Sequence, residues 1–288
     1  MKSTCIAQTV LSALLVVSAL PAAAAAAHVV QDVAGNRLEP LLLQNADSPD
    51  GDGRYCTADD QWCVRALPAA EAQQPATLEV AERVAAGTEP RLRHVPIAVG
   101  DDGALDVWPF IVRLAGAAGP QGPGAPAETL QDVLVGGLVE ARAMYSGGGA
   151  SASTLQLARI RHLDDGVQVD ADVLSVVLSA NKMIRACFSE RDFDQRAGAC
   201  HDEYSFDGQL ALAIEGQDTP VLRYQTEASN YPAGVSPQRD SLAKGRLKKK
   251  DLRTEQDAEC SYTRTFRFTS GVYQPDQPLP ECSGYTEP

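Results

Sequence analysis

The dominant pattern along the chain is alternation of apolar and polar residues with period two. In a strand, successive side chains point to opposite faces, so this period predicts half-buried β-strands. In "DEYSFDGQLALAI", Tyr204, Phe206, Leu210, Leu212 and Ile214 fall on one face, with Gly208 as a bulge or close contact. In "VWPFIVRLA", Trp108, Phe110, Val112 and Leu114 share a face; in "SYTRTFRFTSG", Tyr262, Phe266 and Phe268 oppose Thr263, Thr265, Arg267 and Thr269. Residues 138–163 read as a hairpin whose two alternating arms flank a Gly- and Ser-rich turn at 146–153. One or two further strands follow an Asp-Gly turn at Asp165 and Gly166. Helical period is scarce. Residues 70–87 are the best candidate, but Pro75 breaks them, and residues 76–84 fit a strand equally well. The expected fold is mainly β, an antiparallel sandwich or curved sheet with long loops.

Two stretches depart from the alternation. Residues 116–128 ("GAAGPQGPGAPAE") carry too little side chain to pack and read as a Gly/Pro linker between a β-rich part at 28–115 and another at 129–288. Residues 229–259 are polar and strongly charged with no apolar face, which predicts a mobile or extended loop. At the N-terminus, Lys2 precedes an apolar run at 10–20, then Pro21 and a string of alanines. That order is the layout of a secretory signal peptide over residues 1–27, with Ala25 and Ala27 fitting the cleavage pattern. The run is too short to span a bilayer, and no later segment is longer, so no membrane span is expected. The expected location is periplasmic or secreted.

Export gives the cysteines a meaning. Setting aside Cys5, six remain, an even number in an oxidising compartment: Cys56, Cys63, Cys187, Cys200, Cys260 and Cys282. They fall into three local pairs, and sequential pairing is the simplest of the 15 arrangements six cysteines allow. The stretch "CFSERDFDQRAGACHDEYSF" invites a zinc or thiol reading. Yet there is no C-x-x-C in the chain, and His201 adjoins Cys200 without ligand spacing, so a stapled loop feeding a strand fits better.

The chain has 25 basic and 38 acidic residues, a net charge of −13. Loss of residues 1–27 removes only Lys2 from that balance, leaving −14. Such a surface repels phosphate backbones, which argues against nucleic acid and favours basic proteins or cationic surfaces. Asp47, Asp50, Asp52, Asp59 and Asp60 suggest calcium, but an EF-hand register starting at Asp50 with Asp52 at its third position meets Arg54 at its fifth. His28 would begin the mature chain and could hold copper through its amine and ring, given a second histidine among His94, His162 and His201. Ser241 and Lys244 form an S-x-x-K in a charged segment without the K-T-G that accompanies it in serine enzymes. The glycines of "YSGGGAS" lack the strand-to-helix context of a phosphate loop, and G-x-S-x-G does not occur. The basic run Lys244 to Arg253 could meet anionic lipid or lipopolysaccharide, or simply be solvated.

No enzyme constellation emerges and no cofactor is implied. The expectation is an exported, non-catalytic, β-rich protein that binds a basic protein or an envelope component; an inhibitor of a basic secreted enzyme such as a lysozyme is one version. The alternatives are a copper redox protein using His28, a carboxylate hydrolase whose acidic pair is not legible in one dimension, and a purely structural envelope protein.

Overall fold

The computed structural model describes residues 29–44, 53–69, 75–84, 87–100, 103–115, 131–163, 166–216 and 218–288. In chain order the elements are β1 (Val30–Gln31), β2 (Arg37–Pro40), β3 (Leu42–Leu43), β4 (Tyr55–Cys56), β5 (Trp62–Leu67), β6 (Ala76–Glu82), β7 (Arg91–Ile97), β8 (Ala104–Val107), β9 (Phe110–Arg113), β10 (Val133–Tyr145), β11 (Gly148–Leu163) and β12 (Gly166–Arg185). Then come a short helix α1 (Glu190–Gln195), β13 (His201–Leu212), β14 (Leu222–Tyr231), β15 (Glu255–Asp257), β16 (Thr263–Thr269), β17 (Val272–Pro275) and a single helical turn α2 (Ser283–Thr286). The fold is mainly β and antiparallel. A twelve-stranded sheet runs β1-β2-β9-β10-β11-β12-β13-β14-β16-β17, with β8 beside β10 and β15 beside β14; a five-stranded sheet runs β3 to β7.

The apolar pattern explains this layering. In β10, "VLVGGLV" is apolar on both faces because both are covered. Val133, Val135 and Val139, with Ala158 and Ile160 of β11, pack against Trp62, Val64, Leu78, Val80, Val95 and Ile97 of the small sheet. Leu134, with Leu155 and Leu157, points the other way, into a core shared with Trp108, Val112, Leu114, Leu222, Tyr224 and Phe266. The expected faces of residues 107–115 and 261–271 are both found in that second core, where Phe110, Tyr262 and Phe268 pack at the edge.

The large sheet is continuous at one end and parts at the other. β12 pairs with β13 only from Ser179↔Asp207 to Arg185↔His201. Below that, β12 pairs with β11 alone and β13 continues with β14 to Leu212↔Leu222. A register shift at Ser153/Thr154 marks the parting, as a bulge bends one strand away from its neighbour. The separated halves close over the second core, which holds residues of both.

Several expectations change. Of the two readings open for residues 76–84 the strand is found, as β6 over Ala76–Glu82, with both faces of "ATLEVAE" buried. The 138–163 turn is only two residues, Ser146 and Gly147, because Tyr145 already pairs with Gly148; Gly147 takes φ +88°, which favours glycine. From Gly166 onward there is one 20-residue strand. Ile214 lies just past β13 and is exposed. Residues 229–259 are not an extended loop. They begin in β14, contain β15, and bury Ala233, Val235 and Leu247 against the body of the protein. Their backbone is held by Leu247 N–H donating to Gln195 O (2.7 Å) and Ala233 N–H donating to Asp251 O (2.9 Å). Isolated apolar residues in a charged segment give no periodicity, so the anchoring was invisible in sequence.

The Gly/Pro-rich stretch at 116–128 lies outside the described residues, as do the 1–27 segment and His28. The strands flanking that stretch, β9 and β10, are hydrogen-bonded neighbours in one sheet. All three disulfides join sequential cysteines: Cys56–Cys63, Cys187–Cys200 and Cys260–Cys282.

Candidate functional site

At the continuous end of the large sheet, one face is covered and the other open. On the covered face Ala152, Ala180, Tyr204, Phe206 and Ala228 are buried under Val235, the Cys260–Cys282 bridge and Tyr285. Tyr285 meets Tyr204 edge-on at 5.8 Å and donates its hydroxyl to Asp257 (2.9 Å). Lys182 donates to the Gly284 carbonyl at 3.0 Å, and burial pulls its ammonium below its ordinary pKa. The C-terminal segment thus forms a fixed backing.

The open face carries the alternate residues of the same strands. Cross-strand pairing places Arg142 opposite Ser151, Ser151 opposite Asn181, Asn181 opposite Ser205, and Ser205 opposite Ser229. Directly opposed residues share a face, so these five groups form one row across β10 to β14. The Ser205 and Ser229 hydroxyls are 2.8 Å apart and hydrogen-bonded. A second row, one pleat further, runs Met144, Gly149, Met183, Glu203, Tyr231. Together with Thr254 these residues line a trough of about 500 Å³. Its floor is low because the floor residues are small. A side chain at Gly149 would meet the Met144 sulfur at 2.9 Å. Met144 stands on the rim 86% exposed.

The third row along this face is acidic at its ends, running Glu140, Ser153, Ser179, Asp207, Glu227. Arg142 is already paired with Glu140 at 2.8 Å. The two open-face rows therefore offer hydroxyls, an amide, two thioethers and a phenol, with Glu203 their one carboxylate and Arg142 their guanidinium. Such a set exchanges hydrogen bonds with a polar ligand and packs sulfur and ring against its apolar parts.

A second recess, about 660 Å³, adjoins the trough beyond Arg185 and His201 and is walled by the Cys187–Cys200 loop. Phe188 and Phe193 are exposed there, and the Arg185 guanidinium sits 5.1 Å over the Phe188 ring. The "CFSERDFDQRAGACHDEYSF" stretch is thus a stapled loop with a short helix, feeding β13. Its anchor is Arg196, fully buried, which pairs with buried Asp202 and donates to the carbonyls of Ala199 (2.8 Å) and Ser241 (2.6 Å). Burial raises the Asp202 carboxyl above its ordinary pKa against the opposing pull of Ser241 and Arg196. This one guanidinium ties the stapled loop, β13 and the charged segment together.

The other sequence candidates are dispersed. Asp47, Asp50 and Asp52 lie outside the described residues. Asp59 is bound by Arg113 at 2.8 Å, while Arg113 also holds Glu39 at 3.0 Å. His94 faces Glu79 (3.6 Å), and His162 is buried against Glu82 (3.1 Å) between the two sheets. Among the described residues, no three His, Cys, Asp or Glu side chains are grouped to hold a metal ion. Among the same residues, no helix is long and apolar enough to cross a membrane. Ser241 and Lys244 serve the fold: the Ser241 carbonyl receives Arg196, and the Lys244 ammonium donates to the Ala233 carbonyl.

The trough residues themselves were not found from sequence. Ser205 sits between Tyr204 and Phe206 and reads as the solvent side of an amphipathic strand. Its partnership with Ser151, Asn181 and Ser229 depends on register across four strands. Compared with models of protein families, with curated proteins and with solved structures, the chain matches none of them.

Proposed function

We propose that this is an exported, non-catalytic binding protein whose ligand, a component of the cell envelope, lies in the trough on the open face of the large sheet. The observation that carries this reading is the row Ser151, Asn181, Ser205, Ser229 at the floor of a concavity rimmed by exposed Met144 and Met183. Short polar groups recessed below a soft apolar rim, on strands backed by a disulfide-held segment, make a preorganised surface that loses little entropy on binding. Three disulfides point to an oxidising compartment, and the leader-like residues 1–27 to the export route. An inhibitor of a basic enzyme is less well supported, because Asp59, the acidic residue of the Cys56–Cys63 loop that Arg113 holds, is already neutralised within the fold.

The test is cosedimentation with isolated envelopes of the producing cell. Wild-type protein sediments with the envelope. Ser229→Trp, which fills the trough with an indole, stays in the supernatant while keeping the wild-type circular dichroism spectrum and Tm. Equal sedimentation of a folded Ser229→Trp would remove the trough from the account.

A further inference from the structure

The trough repeats one kind of group at a fixed step. Each of β11, β12, β13 and β14 contributes one short hydroxyl or amide to the row, and β10 ends it with Arg142. Neighbouring strands are about 4.8 Å apart, so the row is about 19 Å long over five strands. A ligand that uses the whole row must advance by about one strand spacing per repeat. An extended peptide advances by about 3.3 Å per residue and falls out of phase within two residues. An equatorially linked pyranose unit advances by close to one strand spacing.

The chemistry of the rows matches as well as the spacing. Hydroxyl and carboxamide groups both donate and accept, which suits the hydroxyl-bearing edges of sugar rings. The second row sets Met144, Met183 and Tyr231 alongside, soft or flat apolar groups suited to the C–H faces of the same rings. Charge narrows the class. Glu203 in the trough and Glu140, Asp207 and Glu227 beside it repel a polyanion, while of the lining cations Arg142 is engaged by Glu140 and Lys182 by the Gly284 carbonyl.

We propose that the trough binds a single strand of an uncharged, linear, equatorially linked polysaccharide, laid across β10 to β14 with one sugar over each strand. This inference rests on the trough being the binding site and adds the class of ligand.

Titration calorimetry of the mature protein with cello-oligosaccharides and N-acetylated chito-oligosaccharides of two to six sugars tests it. In at least one series, affinity rises about 100-fold from two sugars to five and then levels. Maltohexaose, with axial linkages, binds at least tenfold more weakly, and penta-galacturonate does not bind. Asn181→Leu lowers the affinity for the five-sugar ligand at least tenfold without changing Tm, while Phe193→Ser leaves it unchanged. Equal affinity for two and six sugars, or for axial and equatorial linkages, overturns the proposal. So does an absence of oligosaccharide binding by a protein that still sediments with envelopes in a trough-dependent way; in that case the site stands and the glycan falls. If Ser229→Trp alters neither measurement, site and ligand fall together.

Discussion

At the scale of single residues, two arginines tie separate segments of the fold together. Arg196 is buried with Asp202 and ties the stapled loop to β13 and to the Ser241 carbonyl of the charged segment. Removing one member of a buried ion pair leaves the other charge uncompensated, which costs about 3–5 kcal/mol. Arg196→Leu should lower unfolding free energy by about that amount in a urea titration and make residues 187–200 the first site of proteolysis. Arg113 acts likewise between the sheets, but its partner Asp59 is half exposed. Burial raises the Asp59 carboxyl, yet hydrogen bonds from Thr57, Gln61 and Arg113 outweigh it and hold the group below its ordinary pKa. A lowered folded-state pKa adds stability above the unfolded value of about 3.9, and that stability is lost as pH falls toward the folded value. Asp59→Asn should therefore cost about 1 kcal/mol or less at pH 7, given its exposure. The gap to wild type should close below about pH 3.9. A gap that widens on acidification would contradict this assignment.

Among the elements, the stapled loop and the split sheet show what one-dimensional reading reaches. The loop was legible: cysteines in local pairs close loops whatever the tertiary fold, and all three bridges follow that rule. Closing 187–200 restricts the unfolded chain by about 3 kcal/mol on the loop-entropy estimate. Cys187→Ser with Cys200→Ser should lose about that much stability by denaturant titration, yet leave trough binding intact, since Arg196 still anchors the loop. The strands were legible wherever one face is buried, as in 107–115 and 261–271. They were less so in β6, whose burial on both faces erased the alternation and left a helix reading open. The trough was not legible at all. Its row is a property of register, and register here is set by a two-residue hairpin turn and by bulges whose positions no local pattern marks.

For the molecule as a whole, the same strands serve two ends. Where the large sheet parts, its faces close over apolar cores; where it stays continuous, one face is backed by the C-terminal segment and the other is left open with small polar residues. A net charge of −13 makes the molecule averse to polyanions, in keeping with the uncharged ligand proposed for the open face. The chain contains three methionines, Met1, Met144 and Met183, and the last two stand on the trough rim. Their oxidation to sulfoxide reports solvent access to that rim. The measurement is the rate of peroxide oxidation at Met144 and Met183, followed by mass spectrometry, for protein free and bound to isolated envelopes. Both rates should fall at least fivefold on binding and return to the free value in protein released from the envelopes. Unchanged rates in fully envelope-bound protein would place the binding surface elsewhere on the molecule.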